Sequence, residues 1–262
     1  MGAAFEESAP RSLPSLGRVR WGLGVVVPAL IVVGWHLLVV TGVFPPYQLP
    51  KPLSVVETLY AMTLAGELTG HVAITVQRVV FGCLVGMSVA VVFGTLTGLS
   101  TLANDLLDPL FQSTKNVPSL AWVPLFLLWF GIGEPAKVLL IAVGAFFPVY
   151  LNLSTGIRDV DDDLREVADV YDLGRIETLR KVVLPGALPS LFVGIRSGVG
   201  LAWMFVVAAE LIAASQGIGY LMNDGRVMSR PDLIVGAILL FALFGNLSDL
   251  GVKEVENYVV DW

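Results

Sequence analysis

Apolar runs long enough to cross a bilayer recur along this chain, and nothing else constrains its fold so tightly. A spanning helix needs about 20 mostly apolar residues, because the hydrocarbon core is roughly 30 Å thick and an α-helix rises about 1.5 Å per residue. Spans are read at residues 21–43, 71–99, 117–130, 136–153, 191–213 and 233–250. The 262 residues are 55% hydrophobic and only 15% charged, where a soluble domain is nearer a quarter charged. The fold class expected is an all-α polytopic membrane protein with six transmembrane helices. A single transmembrane domain covers 21–262, behind a polar cytoplasmic tail at 1–20. That tail does not read as a secretory signal, since the first apolar run is long and no small-residue cleavage site follows it.

The connections differ in character. Residues 44–52 (FPPYQLPKP) form a proline-rich exit that cannot be helical. Val55, Leu59 and Met62 then recur at helical spacing, which suits a short interfacial helix over 53–68 on the outer surface. Gly82, Gly86, Gly94 and Gly98 mark the second span as one that a neighbouring helix approaches closely. Residues 101–113 read as a short link carrying Asp105 and Asp108, with a helix entering the third span near Leu107. Pro118 and Pro124 fall inside that third span, where freed backbone groups need protein or a water-lined cavity. Residues 214–232 read as a glycine-rich outer loop and 253–262 as a short tail.

Lysine and arginine set the orientation. One side holds Arg11, Arg18, Arg20, Lys115, Arg158, Arg165, Arg175, Arg180, Lys181 and Lys253, and the other Lys51, Lys137, Arg226 and Arg230. Both termini and the long polar loop at 156–189 are therefore expected in the cytoplasm. Inside that loop Leu164, Val167, Ala168 and Tyr171 share one helical face. A second amphipathic piece carries Ile176, Leu179, Val182 and Val183, and Pro185 and Pro189 are expected to stop it. From periodicity alone, this hairpin either packs on its own membrane domain or plugs into a partner.

The residues favour the partner. Glu166-Val167-Ala168, Leu173-Gly174 and the run Val182 to Pro189 resemble the coupling ("EAA") loop of ABC-importer permeases. That loop reads E-A-A, three residues, Gly, nine residues, a branched aliphatic, any residue, Leu-Pro. The spacing from Glu166 to Pro185 matches, but Asp172 stands at the glycine position. Asp is one of the few residues that tolerates the left-handed region. Further segments, among them Gly66-Glu67-Leu68, Asn116-Val117-Pro118, Trp129 to Glu134, Ala208 to Ile212 and Gly217 to Leu221, resemble the sulfonate, taurine, nitrate and bicarbonate group, most closely its aliphatic-sulfonate permeases.

The resemblance implies the type I ABC-importer (MetI-like) permease fold in the bacterial cytoplasmic membrane. It implies a homodimer of this chain, two cytoplasmic ATP-binding subunits, and a periplasmic or lipid-anchored substrate-binding protein. Leu164, Glu166, Val167, Ala168, Tyr171, Asp172, Leu173, Gly174 and Pro185 would form the ATPase-coupling element, a helix laid in a groove. No cofactor is expected in this chain, since it has no G-x-x-x-x-G-K-[ST] phosphate loop; ATP and Mg belong to the partner ATPase. Membrane lipid surrounds the spans, and no nucleic acid is expected.

Other residues stand out against their surroundings. Arg78 and Glu210 are ionisable groups within spans, which usually face the interior and pair; they either meet near an outer gate or snorkel separately to headgroups. Arg196 either attracts an anion leaving inwards or snorkels. Asn116 and Pro118 are candidates for lining the pathway, against a kinked, packed helix. Gly217, Gly219, Arg226 and Arg230 place a docking surface for the binding protein on the outer loop, which otherwise is a solvated turn. Cys83, His36 and His71 are assigned no chemistry, and the lone cysteine rules out a disulfide framework.

Two other function classes compete. An ion-coupled secondary transporter expects midplane carboxylates or broken helices in related halves, whereas Glu210 is the sole obvious intramembrane carboxylate and no second half repeats the first. An intramembrane enzyme needs a nucleophile–base pair or a metal cluster, and none is apparent. The reading is a non-catalytic importer subunit for a small oxyanion, most like an aliphatic sulfonate, with taurine, nitrate or bicarbonate as alternatives.

Overall fold

The computed structural model describes residues 17–260. Most of the expected tail, including Arg11, lies outside them. Helix α1 spans Gly17–Val40 and α2 Pro52–Leu64, with the proline-rich exit non-helical between them. The Trp35 indole donates to the Pro50 carbonyl at 2.8 Å and ties that exit to α1. Then follow α3 (Glu67–Leu99), α4 (Thr101–Lys115), α5 (Ser119–Phe130) and α6 (Glu134–Arg158). The polar loop holds α7 (Asp162–Val170), α8 (Arg175–Thr178) and a π-helical turn at Leu179–Val183. It leads into α9 (Leu184–Ala213), α10 (Ile218–Val227) and α11 (Pro231–Val259).

Among the described residues, four helical stretches are long and apolar enough to cross a membrane: Glu67–Leu99, Glu134–Arg158, Ile176–Ile212 and Pro231–Val259. Val26–Val40 and Ala121–Phe130 are shorter apolar helices. Helix α6 is the centre of the bundle. Its Leu140, Ile141, Ala145, Val149, Tyr150, Leu153 and Ile157 are all buried. The glycine face of α3 lies along it: Gly82 sits against Ile141, Gly86 against the Ala142 backbone, Gly94 against Tyr150 and Leu153, and Gly98 against Ile157. Numbers rise together on both helices, so α3 and α6 run parallel. At Gly86 a Cβ would run into the Ala142 carbonyl, which is why small residues recur there. Helix α9 runs antiparallel on the other flank, with Gly156 against Ser190, Gly194 against 148–152 and Gly198 against Ala145.

Several expected boundaries move. Residues 101–113 are not a link but belong to α4: Leu102, Leu106 and Leu110 repeat every four residues, and Ser100 caps the helix by accepting from the Ala103 amide at 3.2 Å. The third span is broken, because Asn116, Val117 and Pro118 separate α4 from the 12-residue α5. Helix α4 runs back along α6: Asn104 meets Arg158, the Tyr150 hydroxyl donates to Asp108 at 3.0 Å, and the Phe111 ring lies 4.6 Å from that of Tyr150. The outer loop contains α10, whose Ile218 and Leu221 are buried with Leu68, Ala237 and Leu240. The tail from Lys253 continues α11 as far as Val259. There the rise in polarity marks an exit from an apolar environment, not a helix end.

Pro185 and Pro189 do not stop the helix. Pro185 is the second residue of α9, just after the π turn at Leu179–Val183, which has already interrupted the regular α-helical ladder. Just before it the Leu184 amide reaches back five residues to the Leu179 carbonyl, so the π turn absorbs the local misfit. The polar loop and α9 are consequently one continuous helical stretch, 176–212.

Candidate functional site

Three sites lie at three levels of the bundle. At the end where α6 finishes, α7 closes with a Schellman motif. The Leu173 amide donates to the Ala168 carbonyl at 3.0 Å, and Asp172 occupies the left-handed position with φ 52°. That is the position where glycine is usual, so the turn survives the departure from glycine. Tyr171 is 75% exposed and Leu164 50%, so both present apolar surface to solvent. Ala168 does not join them: it is 1% exposed and faces inward. A short side chain at that point lets α7 seat on its own loop, and Ala168 leaves the expected contact face. Val170 and Ile176 also present apolar side chains to solvent, 83% and 70% exposed. Val170 lies off the stripe of Leu164, Ala168 and Tyr171, and Ile176 belongs to the second amphipathic piece, so neither is in the expected coupling set. Glu166 and Gly174 are exposed and Leu173 is half-buried. The side chains of Val167, Arg165 and Arg175 lie outside the described residues.

At the opposite end a buried polar cluster joins α3, α6, α9 and the start of α10. Arg78, 3% exposed, donates Nη1 to Glu210 Oε1 at 2.7 Å. It also forms a two-pronged contact with Glu134, Nε and Nη2 each at 2.7 Å, and donates to the Gln216 carbonyl at 2.6 Å. The Glu210 side chain is fully buried. It accepts further from the Thr75 hydroxyl at 2.8 Å and from the Gly219 amide at 2.8 Å. Lys137 closes the cluster on Glu134 at 2.9 Å. The structure thus brings Arg78 and Glu210 together and excludes their separate snorkelling.

Gly217 and Gly219, expected on an exposed docking loop, are buried in this cluster. Gly217 has φ +129°, and a side chain there would occupy the place of the Glu210 carboxylate. Its amide donates to His71 Nδ1 at 3.0 Å, and the Ile218 amide donates to the Thr75 hydroxyl at 2.8 Å. Of these amides only that of Gly219 reaches the carboxylate, and a buried carboxylate needs such a donor; Gly217 is turned inward where a side chain would meet Glu210. Arg226 and Arg230 remain exposed; they donate to Asn223 at 2.9 Å and Asp232 at 2.7 Å. Sequence reasoning missed Thr75, His71, Glu134 and Lys137. A signal existed: His71, Thr75 and Arg78 share one helix face at offsets of four and seven, and Glu134 and Lys137 stand three apart.

Between these ends a recess of about 430 Å³ is lined by Lys115, Asn116, Val117 and Pro118 at the α4–α5 break, by Gly144, Phe147, Pro148 and Leu151 of α6, and by Leu201 and Phe205 of α9. Asn116 and Pro118 are therefore cavity-lining residues. Lys115 is not at the cytoplasmic end where the charge tally put it, but level with the middle of α6.

Arg196 does not stand free. Its guanidinium pairs with Asp249 of α11 at 2.9 and 3.1 Å, and Glu256 lies 3.8 Å away. Two carboxylates balance its charge, so of the two readings, attraction of an anion or snorkelling, neither has a free guanidinium to rest on. Among the described residues no group of three or more His, Cys, Asp or Glu could hold a metal ion.

The profile of the family described as "Binding-protein-dependent transport system inner membrane component" matches residues 84–256. Among similar proteins is SsuC of Bacillus subtilis (strain 168), named for aliphatic sulfonates transport, 41% identical over 97% of this chain and 92% of its own length. SsuC of Escherichia coli (strain K12), similarly named, is 41% identical over 93% and 94%. TauC of the same strain, named as a taurine transport system permease protein, is 31% identical over 92% and 89%.

Proposed function

Since the chain belongs to the binding-protein-dependent transport system inner membrane components, we propose that it is the membrane subunit of an ATP-driven importer of aliphatic sulfonates. The observation that carries this is the set of exposed apolar side chains Leu164, Val170, Tyr171 and Ile176, on a loop with the family spacing at one end of the bundle. Apolar surface of that kind is costly to leave in water and suits a groove on a partner. The similarity to SsuC supports a sulfonate over taurine.

In this reading six crossings are made by α1, α3, the α4–α5 pair, α6, α9 and α11. The α4–α5 return explains why α3 and α6 run parallel. Both termini are cytoplasmic, residues 21–262 form a single domain, and two copies assemble with two ATP-binding subunits. A substrate-binding protein docks at the opposite end, near the exposed Arg226 and Arg230. ATP binding by the partner closes the ATPase pair, the loop follows, and α9 carries the motion past α6 to the Arg78–Glu210 cluster. The substrate is released by the binding protein and crosses by alternating access.

Copurification of a soluble ATPase in mild detergent, with ATP-dependent uptake of butanesulfonate by the reconstituted complex, is the expected result. Uptake insensitive to ATP depletion, with no ATPase bound, would refute the reading in favour of an ion-coupled carrier.

A further inference from the structure

Lysine at mid-membrane depth is expensive and seldom lacks a purpose. Lys115 ends α4, and its recess is lined by Gly144, Phe147 and Pro148 in the middle of α6. Phe147 precedes Arg158, at the loop end of α6, by roughly 16 Å of helix at 1.5 Å per residue. That is about half of the ~30 Å hydrocarbon core. Arg196 lies at a similar depth, bracketed by the contacts of Gly194 with 148–152 and of Gly198 with Ala145, but Asp249 and Glu256 neutralise it. No acidic partner of Lys115 exists among the described residues.

The helix break around Lys115 adds to its positive character. Three carbonyls near the end of α4 accept bonds: the Asn116 amide donates to Ser113 at 3.3 Å, the Val117 amide to Thr114 at 3.1 Å, and the Asn116 side-chain amide to Gln112 at 3.1 Å. The α5 N-terminus begins two residues on from Val117, and the first amides of a helix lack intrahelical acceptors. The Ala121 amide is turned back to the Pro118 carbonyl at 2.9 Å, so the exposed Lys115 ammonium is the main positive group of the break. An adjoining apolar recess of about 200 Å³ shares Phe147 and includes Val85, Trp122 and Val143. An anion with a carbon chain meets an apolar wall beside the cation.

We propose that Lys115, with Asn116 and the start of α5, forms a mid-membrane waypoint that holds the sulfonate headgroup of the transported anion during its passage. This rests on the importer reading above. It assigns the passing anion a site within this chain.

The test uses the assembled transporter, with its ATPase and binding protein, in liposomes. The one cysteine, Cys83, is replaced by Ala, and Lys115→Cys is added. ATP-driven butanesulfonate uptake is expected to fall at least tenfold. Treatment with a methanethiosulfonate that attaches an aminoethyl group regenerates a cation of near-lysine length and is expected to restore uptake to within threefold. The neutral methyl reagent is expected to restore nothing. Uptake by Lys115→Cys equal to the Cys83→Ala parent, or equal rescue by the neutral reagent, overturns the waypoint. Liposomes of neutral phosphatidylcholine and of anionic phosphatidylglycerol are compared: loss in both is expected, while loss confined to the anionic bilayer would assign Lys115 to a lipid headgroup and also overturn it. A parent complex whose uptake needs no ATP would instead count against the importer reading itself.

Discussion

Arg78→Met is expected to destabilise the permease far more than Glu210→Gln, although the two residues are partners in one ion pair. The asymmetry follows from what each change leaves behind. Without Arg78, the fully buried Glu210 carboxylate keeps only the Thr75 hydroxyl and the Gly219 amide. Removing one member of a buried pair costs about 3–5 kcal/mol, because an uncompensated charge remains. Without the Glu210 charge, Arg78 still holds Glu134 by two contacts of 2.7 Å and the Gln216 carbonyl at 2.6 Å. The glutamine amide can still accept from Thr75 or Gly219. That loss is one charge-assisted hydrogen bond, about 1.5–3 kcal/mol. At about 2–4 °C per kcal/mol for a chain of this size, Arg78→Met should lower the thermal midpoint of the purified permease by roughly 6–20 °C, and by clearly more than Glu210→Gln. The double variant should lie above the additive value by about 1–3 kcal/mol, since it no longer buries an orphan carboxylate. Equal midpoints for the two single variants, or strict additivity, would refute this account of the cluster.

Two further expectations concern the loop. Tyr171→Asp should leave the permease folded but reduce ATPase copurification at least tenfold, whereas Ala168→Asp should lower the thermal midpoint before it affects binding, because Ala168 is buried and a charge there needs a partner; a normal pull-down by Tyr171→Asp would show that this face is not the contact. Asp172→Gly should keep butanesulfonate uptake within twofold and stabilise the turn by about 1 kcal/mol, since glycine meets no steric cost at φ 52°; a fall in the thermal midpoint would show that the aspartate side chain itself holds the loop.

The sequence was most legible where one pattern had one physical cause. Gly82, Gly86, Gly94 and Gly98 could only mean close approach, and α6 lies against all four. The charges at 78 and 210 left two readings, pairing or separate snorkelling, and the structure pairs them at 2.7 Å. Legibility failed where one signal served two causes. Polar residues at 101–113 and beyond 253 suggested links, yet they lie on helices that continue, because polarity reports the surroundings of a residue and not its backbone. Prolines at 185 and 189 read as stops because a proline's cost depends on the turn before it, and no sequence period announces a π turn. Lys115 was misplaced for a related reason. A charge tally puts a residue at the end of the span it flanks, and the break at 116–118 turns that end into the middle of the bundle. Gly217 and Gly219 read as an exposed turn because Glu210, which they enclose, lies on a different helix.

The two ends of the molecule are held by different physics, and that difference predicts which end moves. The Arg78 cluster ties four elements with short, charge-assisted bonds, buried at Glu210 and half-exposed at Glu134, and α6 is enclosed by α3 and α9 along its length. Helix α7, by contrast, has nine residues, below the ~12–15 at which a helix is even marginally stable by itself. Apart from Ala168, its described apolar side chains, Leu164 and Val170, lie half or more in solvent. Its opening free energy should be near the low end of the scale set by buried helices. Amide hydrogen exchange of the permease alone should therefore be fast over 162–178, and should slow at least tenfold when the ATPase is added, as the apolar side chains Leu164, Val170, Tyr171 and Ile176 are covered. Residues 218–227, at the far end, should change much less. If protection on ATPase addition appeared at 218–227 and not at 162–178, the docking face would have to be assigned to the opposite end, and the direction in which α9 transmits motion would be reversed.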